Sequence, residues 1–331
     1  MIRKIGVPVG ALTATLWILL LAPDFAAAQG FWAKDSPKVP MAPTWMREKA
    51  QLPPYNPPRT PEGVPDMQGF WGGAGGDGAA DLEDHEYMDA TTPSHETFIS
   101  DPPDGRVPYT DWARARHQEI RRGLGRGWPG ESGPRTHGAP RSLCLNSMPR
   151  INVDGGQEII QKPGMLIIVS SMGWHRVIYT DGRPAVGGKA RFWFGSSRGR
   201  WDGDTLVVEV TGNNGRGWFD TAGNFYTANT KFTERWRLAD ANTIDYSVTV
   251  EDPTIYTRPW TMNFPKRRPG TGRRNIGGLP GATSGLPSRV EKDVHAQEVW
   301  EEACFEGNHE NTITQKELGF KWFGGVTPPT K

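Results

Sequence analysis

Two carboxylates fall where a β protein should bury apolar side chains. In Phe232-Thr233-Glu234-Arg235-Trp236-Arg237-Leu238, a period of two puts Phe232, Trp236 and Leu238 on one face. Glu234 shares that face, while Arg235 and Arg237 point the other way. In the next run Ile244, Tyr246, Val248 and Val250 share a face, and Asp252 falls at its end. A carboxylate facing an apolar interior is costly unless paired or hydrogen-bonded, and its pKa rises, which is how a general acid or base is made. The same placement equally serves an internal ion pair, with Arg176 or Arg258 as the cation. The stretch Trp174 to Thr180 is the second concentration of chemistry. One of its faces carries His175, Val177 and Tyr179, and the other carries Trp174, Arg176 and Ile178. The expected site therefore has Glu234 and His175 as acid/base groups. Arg176, Tyr179 and Asp252 are its polar ligand-binding anchors, and Trp236 and Trp260 its aromatic walls.

Other motifs carry less. Gly195-Ser196-Ser197-Arg198-Gly199 matches G-x-S-x-G, but a nucleophile elbow needs a following helix, and here Asp202-Gly203 and another strand follow. Ser197 reads as a turn residue. The seven histidines show no ligand spacing, and His309-Glu310 has Ile313 where a zinc-binding helix needs its second histidine, so no metal is expected. No cofactor fingerprint occurs in a fitting context. Cys144 and Cys304 are the two cysteines, and in an oxidising compartment they read most simply as one disulfide. It closes a loop of about 160 residues, for an upper gain of roughly 5 kcal/mol. A catalytic thiol or a metal site is the alternative.

The elements that position these residues are mostly strands. Asp202-Gly203 before Thr205-Leu206-Val207-Val208-Glu209-Val210 is a strong hairpin signal. Strands are expected at 158–161, 165–169, 174–180, 191–194, 205–210, 232–238 and 243–251, with a strand or short helix at 294–304. Pro163-Gly164 and Asp181-Gly182 are turns between them. Gly69-Phe70-Trp71 opens a first strand. Asp111 to Arg122 is the one helix expected, capped by Thr110 or Asp111 and stopped by Gly123. Strands joined by tight turns imply a mainly β, antiparallel meander that closes into a barrel-like structure. A proline-rich arm, residues 29–66, precedes a barrel-like domain at 67–310 whose core strands lie within 158–304. Residues 311–331 form a tail.

Residues 1–28 read as a signal peptide. Arg3 and Lys4 precede an apolar run from Ala11 to Ala22, and Ala26-Ala27-Ala28 offers a cleavage site. The run falls short of the roughly 20 residues of a spanning helix, so the chain is expected to be periplasmic or secreted, with no stable membrane insertion after cleavage. Without Arg3, Lys4 and Asp24 the formal charge of +1 becomes 0, which gives no general pull toward nucleic acid. The basic cluster Lys266-Arg267-Arg268, with Arg273 and Arg274, sits among prolines and glycines and reads as a solvated loop. Fourteen tryptophans argue for aromatic burial or for aromatic surface facing a ligand. No oligomeric state is implied.

Several motifs together resemble a large family of exported bacterial β-rich proteins of unassigned function. They are Val177-Ile178-Tyr179-Thr180-Asp181-Gly182-Arg183, Gly199 to Val208, Thr233 to Arg237, Asp245-Tyr246 through Glu251-Asp252-Pro253, Tyr256 to Trp260, and Cys304 with Glu306-Gly307-Asn308. The resemblance implies the β fold and the cysteine pairing, and no reaction. Gly69-Phe70-Trp71 is similar to the opening of lipocalin-like barrels. The expected function is binding of a small, partly apolar or aromatic molecule in a barrel pocket. An acid/base hydrolase, lyase or isomerase using the same pocket, on a carbohydrate or aromatic substrate, is the alternative. A structural envelope protein is the third reading.

Overall fold

A computed structural model describes residues 34–72, 81–88, 92–125, 134–153, 156–170, 174–268, 313 and 316–329. The expected leader, Cys304 and the element at 294–304 lie outside them. Ten strands form one curled sheet, a half-barrel, with the two N-terminal strands at its edges and the others between them in chain order. Its central run is the expected meander. Strand β4 (Gln157–Lys162) turns through Pro163-Gly164 into β5 (Met165–Ser170), which pairs with β6 (His175–Tyr179). Strand β7 (Ser196–Asp202) turns at Gly203-Asp204 into β8 (Thr205–Thr211). Then come β9 (Lys231–Asp240), β10 (Thr243–Glu251) and β11 (Trp260–Arg267), all antiparallel.

The meander is broken once. The link from β6 to β7 is parallel and only two residues long, Ile178 opposite Ser197 and Tyr179 opposite Arg198. The strand expected at 191–194 is displaced to Ser196–Asp202, because Phe192 to Phe194 belong to the crossover that a parallel pair requires. Inside β7, Gly199 faces inward where a Cβ would lie 2.9 Å from Ile178 and 3.1 Å from Leu206, so its lack of a side chain lets β6 and β8 close over it. The N-terminal strands β1 (Gly69–Trp71) and β2 (Ile99–Asp101) cover the two edges, on β4 and β11 respectively. Three-residue edge strands leave little unpaired backbone.

The period-two expectation holds on β9 and β10. Phe232, Glu234, Trp236 and Leu238 are buried on the concave side with Tyr246, Val248 and Val250, while Arg235 and Arg237 are exposed on the convex side. The concavity is filled by the connection from β8 to β9, residues 212–230. Phe219 packs on Trp260 at 5.2 Å, and Tyr226 on Phe232 at 5.3 Å. The proline-rich arm is not wholly extended. It forms helix α1 (Ala42–Lys49), whose buried Trp45 donates to Asp245 Oδ1 at 2.8 Å on the convex face of β10. Lys266 and Arg267 are not in a solvated loop. They end β11 and are buried, Lys266 against the Asn152 carbonyl and the Trp236 ring and Arg267 against Trp45 and Glu48 of α1, and Pro265 is tolerated because β2 pairs only with Thr261 and Met262.

Helix α2 (Asp111–Leu124) is capped by Thr110, which accepts from Ala113 N at 3.4 Å. It runs through Gly123 and ends on left-handed Gly125 (φ 58°). Gly123 is a packing glycine instead of a stop, because a Cβ there would collide with the His137 ring. A short parallel pair joins β3 (His137–Gly138) to β12 (Lys321–Trp322).

Two buried histidines make this fold acid-sensitive. Burial holds His95 and His117 down at about 3, and both ring systems bond backbone carbonyls, of Glu96 and Ala222. Between about pH 6.5 and pH 3 the unfolded chain binds protons at these sites that the folded chain refuses, so stability falls as pH falls. Asp81 and Asp220, both raised by burial and Asp220 to about 6, act oppositely as pH falls toward the ordinary carboxylate range, so the histidine contribution is read by substitution and not from the total. In urea titrations at pH 7 and pH 4.5, His117→Gln should narrow the loss of stability by about 2–3 kcal/mol relative to wild type. An unchanged difference would place the acid sensitivity elsewhere.

Candidate functional site

Glu234 sits at the centre of the concave face and is completely buried. Arg176, on the inward face of β6, reaches it across β7 and β8 with both ends of its guanidinium. Nη1 donates to Oε1 at 3.0 Å and Nη2 donates to Oε2. Arg176 Nε donates to Ser197 Oγ at 2.9 Å, so Ser197 is a buried strand residue holding the arginine instead of a turn residue. Glu234 Oε1 also accepts from Asn152 Nδ2 at 2.8 Å and from the Tyr246 hydroxyl at 2.8 Å. Burial and the adjacent Glu234 push the Tyr246 phenol well above its usual range, which keeps it a donor. Lys266, opposite Ile244 on β11, donates to Asn152 O at 2.9 Å with its ammonium 6.0 Å from the Trp236 ring centroid. Burial pulls Lys266 down to about 7, against the opposing pull of Glu234.

Side chains from β6, β10 and one 3-10 turn (Arg150–Asn152) thus converge on the β9 carboxylate, whose charge is already matched, while β7 and β11 brace Arg176 and Asn152. A general base needs an oxygen free to take a proton from substrate. This arrangement is the internal ion pair anticipated with Arg176. Arg258 is not involved; it is exposed at the rim and donates to Asp101 Oδ2 at 2.6 Å.

The remaining expected residues are dispersed. His175 and Tyr179 lie on the opposite, convex side of the sheet from Glu234, because Arg176 and Ile178 take the inward face. His175 is exposed, and Tyr179 carries the Arg183 guanidinium 4.0 Å above its ring. Trp236 and Trp260 are 1% and 0% exposed and packed against Tyr246 and Phe219. Cys144 is buried, and its expected partner lies outside the described residues.

Asp252 is buried where β10 ends. Its Oδ2 accepts from Thr227 at 2.5 Å and Thr230 at 2.8 Å, and its Oδ1 from the Thr254 hydroxyl and amide at 2.5 and 3.0 Å. Above it a cavity of about 330 Å³ opens at the rim, lined by Asn229, Lys231, Glu251, Tyr256 and Arg258, with Pro253 and Pro259 as apolar patches. Lys231 and Glu251 are cross-strand partners at the start of β9 and the end of β10. Apart from Asp252, no lining residue was singled out in the sequence as a ligand contact, because these residues belong to turns whose neighbours are set by the strand ends. The only signal was Tyr256-Thr257-Arg258-Pro259-Trp260, an aromatic and cationic run in a turn.

No metal-binding group of three or more histidine, cysteine or acidic side chains occurs among the described residues. No known family model matches the chain, and no curated protein or solved structure matches it.

If the Arg176–Glu234 pair is a structural clasp, breaking either side should unfold the wall. Glu234→Leu and Arg176→Met should each cost about 3–5 kcal/mol, and Arg176→Met/Glu234→Leu clearly less than the sum of the singles. Denaturant titration of the three variants measures this; additive losses would remove the pair from the structure's support.

Proposed function

We propose that this chain is an exported, periplasmic or secreted protein that binds a small, partly apolar molecule carrying an anionic group in the rim cavity. One observation carries the reading: two cations, Lys231 and Arg258, border the same small cavity as two prolines and the ring of Tyr256. Its volume lies at the lower end of the range for small-molecule sites. Arg258 is paired with Asp101 through Nη2 and bonds Pro259 O through Nε at 3.2 Å, which orients the guanidinium, so its contribution to a ligand is the hydrogen bond Nη1 can donate and Lys231 supplies the charge. Asp252 acts from below by fixing the turn, since its oxygens are occupied by threonine donors. Glu251 disfavours a second anionic group on the ligand. The aromatic core and the Arg176–Glu234 pair supply the rigid wall behind the cavity. The acid/base enzyme reading receives no support from Glu234, whose carboxylate is held in the Arg176 fork. In the same proposal Cys144 and Cys304 form a disulfide in the oxidising compartment.

The test uses the mature chain with a panel of small aromatic and alicyclic carboxylates and their uncharged amides. Carboxylates should raise the thermal midpoint and amides should not. Lys231→Ala and Arg258→Ala should each weaken calorimetric affinity by about 10- to 100-fold, the range of a charged hydrogen bond. Carboxylates and amides that bind alike, or binding that survives the double substitution, would overturn the reading.

A further inference from the structure

In the crossover from β6 to β7 the stretch 181–191 is exposed throughout apart from half-buried Ala190. A side chain at Gly182, Gly187 or Gly188 would meet nothing within 4 Å. In this crossover Val186 is 53% and Phe192 43% exposed, among the few large apolar side chains so open to solvent. Lys189 and Arg191 lie between them and are also exposed. Arg191 donates only to the backbone carbonyls of Gly188 and Ala190, at 3.4 and 3.1 Å. Neither Lys189 nor Arg191 has an acidic partner among the described residues, whereas Arg183 is neutralised by Asp181. The base of the loop is fixed. Phe192 N donates to Gly212 O at 2.9 Å, Asn214 N to Phe192 O at 3.0 Å, and Val186 N to Ser196 Oγ at 3.1 Å. Arg198 Nε donates to Pro184 O at 2.7 Å.

Two exposed apolar side chains held in place on either side of two unmatched cations suit a surface that is apolar beneath and anionic above. We infer that this loop docks the protein on an anionic phospholipid bilayer. Val186 and Phe192 enter the acyl boundary, and Lys189 and Arg191 remain at the level of the phosphates. Charge selects this occupant: an apolar patch on another protein would be served by Val186 and Phe192 alone, whereas two uncompensated cations beside them call for a dense negative surface. The contact is peripheral. No helix among the described residues is long and apolar enough to cross a membrane, and so few anchoring groups give reversible attachment. The loop and the rim cavity share one end of the sheet. Asn213, which bridges to Phe192, donates through Nδ2 to Thr230 O at 2.6 Å, and Thr230 Oγ1 donates to Asp252 at 2.8 Å beneath the cavity.

Co-sedimentation of the mature chain with vesicles tests this. Vesicles of phosphatidylcholine containing about 30% phosphatidylglycerol should retain the protein, and phosphatidylcholine alone should not. Raising the salt concentration should release it. Lys189→Glu/Arg191→Glu and Val186→Ser/Phe192→Ser should each weaken retention by at least about tenfold. The thermal midpoint of each variant, measured alongside, separates a folding defect from a loss of binding, and the fully surface-borne Lys189→Glu/Arg191→Glu pair should leave it unchanged. Failure of the wild type to bind anionic vesicles would overturn the inference, as would equal retention of both variants. Binding to heparin that survives Val186→Ser/Phe192→Ser, with no preference for vesicles, would assign the loop to a soluble polyanion and also overturn it.

Discussion

The buried pair of Arg176 and Glu234 is the constraint around which the half-barrel is organised. Removing two charges from water costs more than their attraction returns unless the remaining lone pairs and protons find partners. Here they do so through side chains from β7, β10 and the turn before β4, so the geometry that satisfies the pair also fixes the sheet's curvature. A flatter sheet would separate β6 from β9 and leave a carboxylate unmatched in an aromatic interior. The clasp also reinforces the short parallel seam between β6 and β7, two residue pairs long, because Arg176 bonds Ser197 across that seam as well as reaching Glu234.

Elsewhere the fold handles buried charge differently. Asp81 and Asp220 share the Asn224 amide, whose Nδ2 donates to Asp81 Oδ1 at 3.1 Å and Asp220 Oδ2 at 2.5 Å. Burial pushes both carboxyls up, with Asp220 adding to the rise at Asp81, and Arg121 offsets part of it from 3.2 Å. These groups tie the segment entering β2 to the connection before β9, through Asp220 Oδ2 accepting from Leu82 N at 2.9 Å. The long connections are therefore part of the core. They fill the concavity with Phe219, Phe225 and Tyr226, and Trp260 of β11 packs on Phe219 while Trp236 of β9 packs on Tyr246 of β10.

What could be read from the chain follows from the range of each signal. Alternation on β9 and β10 depends only on the pleat, so it placed Glu234 inward before any partner was known. Pro163-Gly164 and Asp202-Gly203 set hairpins because a turn constrains residues that adjoin it in sequence. The stretch from Trp174 to Thr180 was ambiguous, since both of its faces mix apolar and polar groups, and the choice of Arg176 over His175 rests on Glu234, distant in sequence. The parallel seam, the edge strands, α1 and the burial of Lys266 also depend on distant contacts. Gly123 shows the same limit: a glycine near a helix end reads as a stop, yet the distant His137 ring explains it.

A tightly matched interior pushes recognition to the rim. Where β7 to β10 begin and end, backbone groups lose their ladder partners, and the chain satisfies them with asparagine, threonine and aspartate side chains. Asn213, Thr227, Thr230 and Asp252 do this work and turn a frayed edge into a fixed one. A fixed edge can hold Lys231 and Arg258 around a cavity without involving the ion pair behind it. The same edge roots the β6–β7 crossover through Gly212 and Asn214. Changes at the rim can therefore alter what the protein meets while the Arg176–Glu234 clasp and its aromatic packing stay as they are.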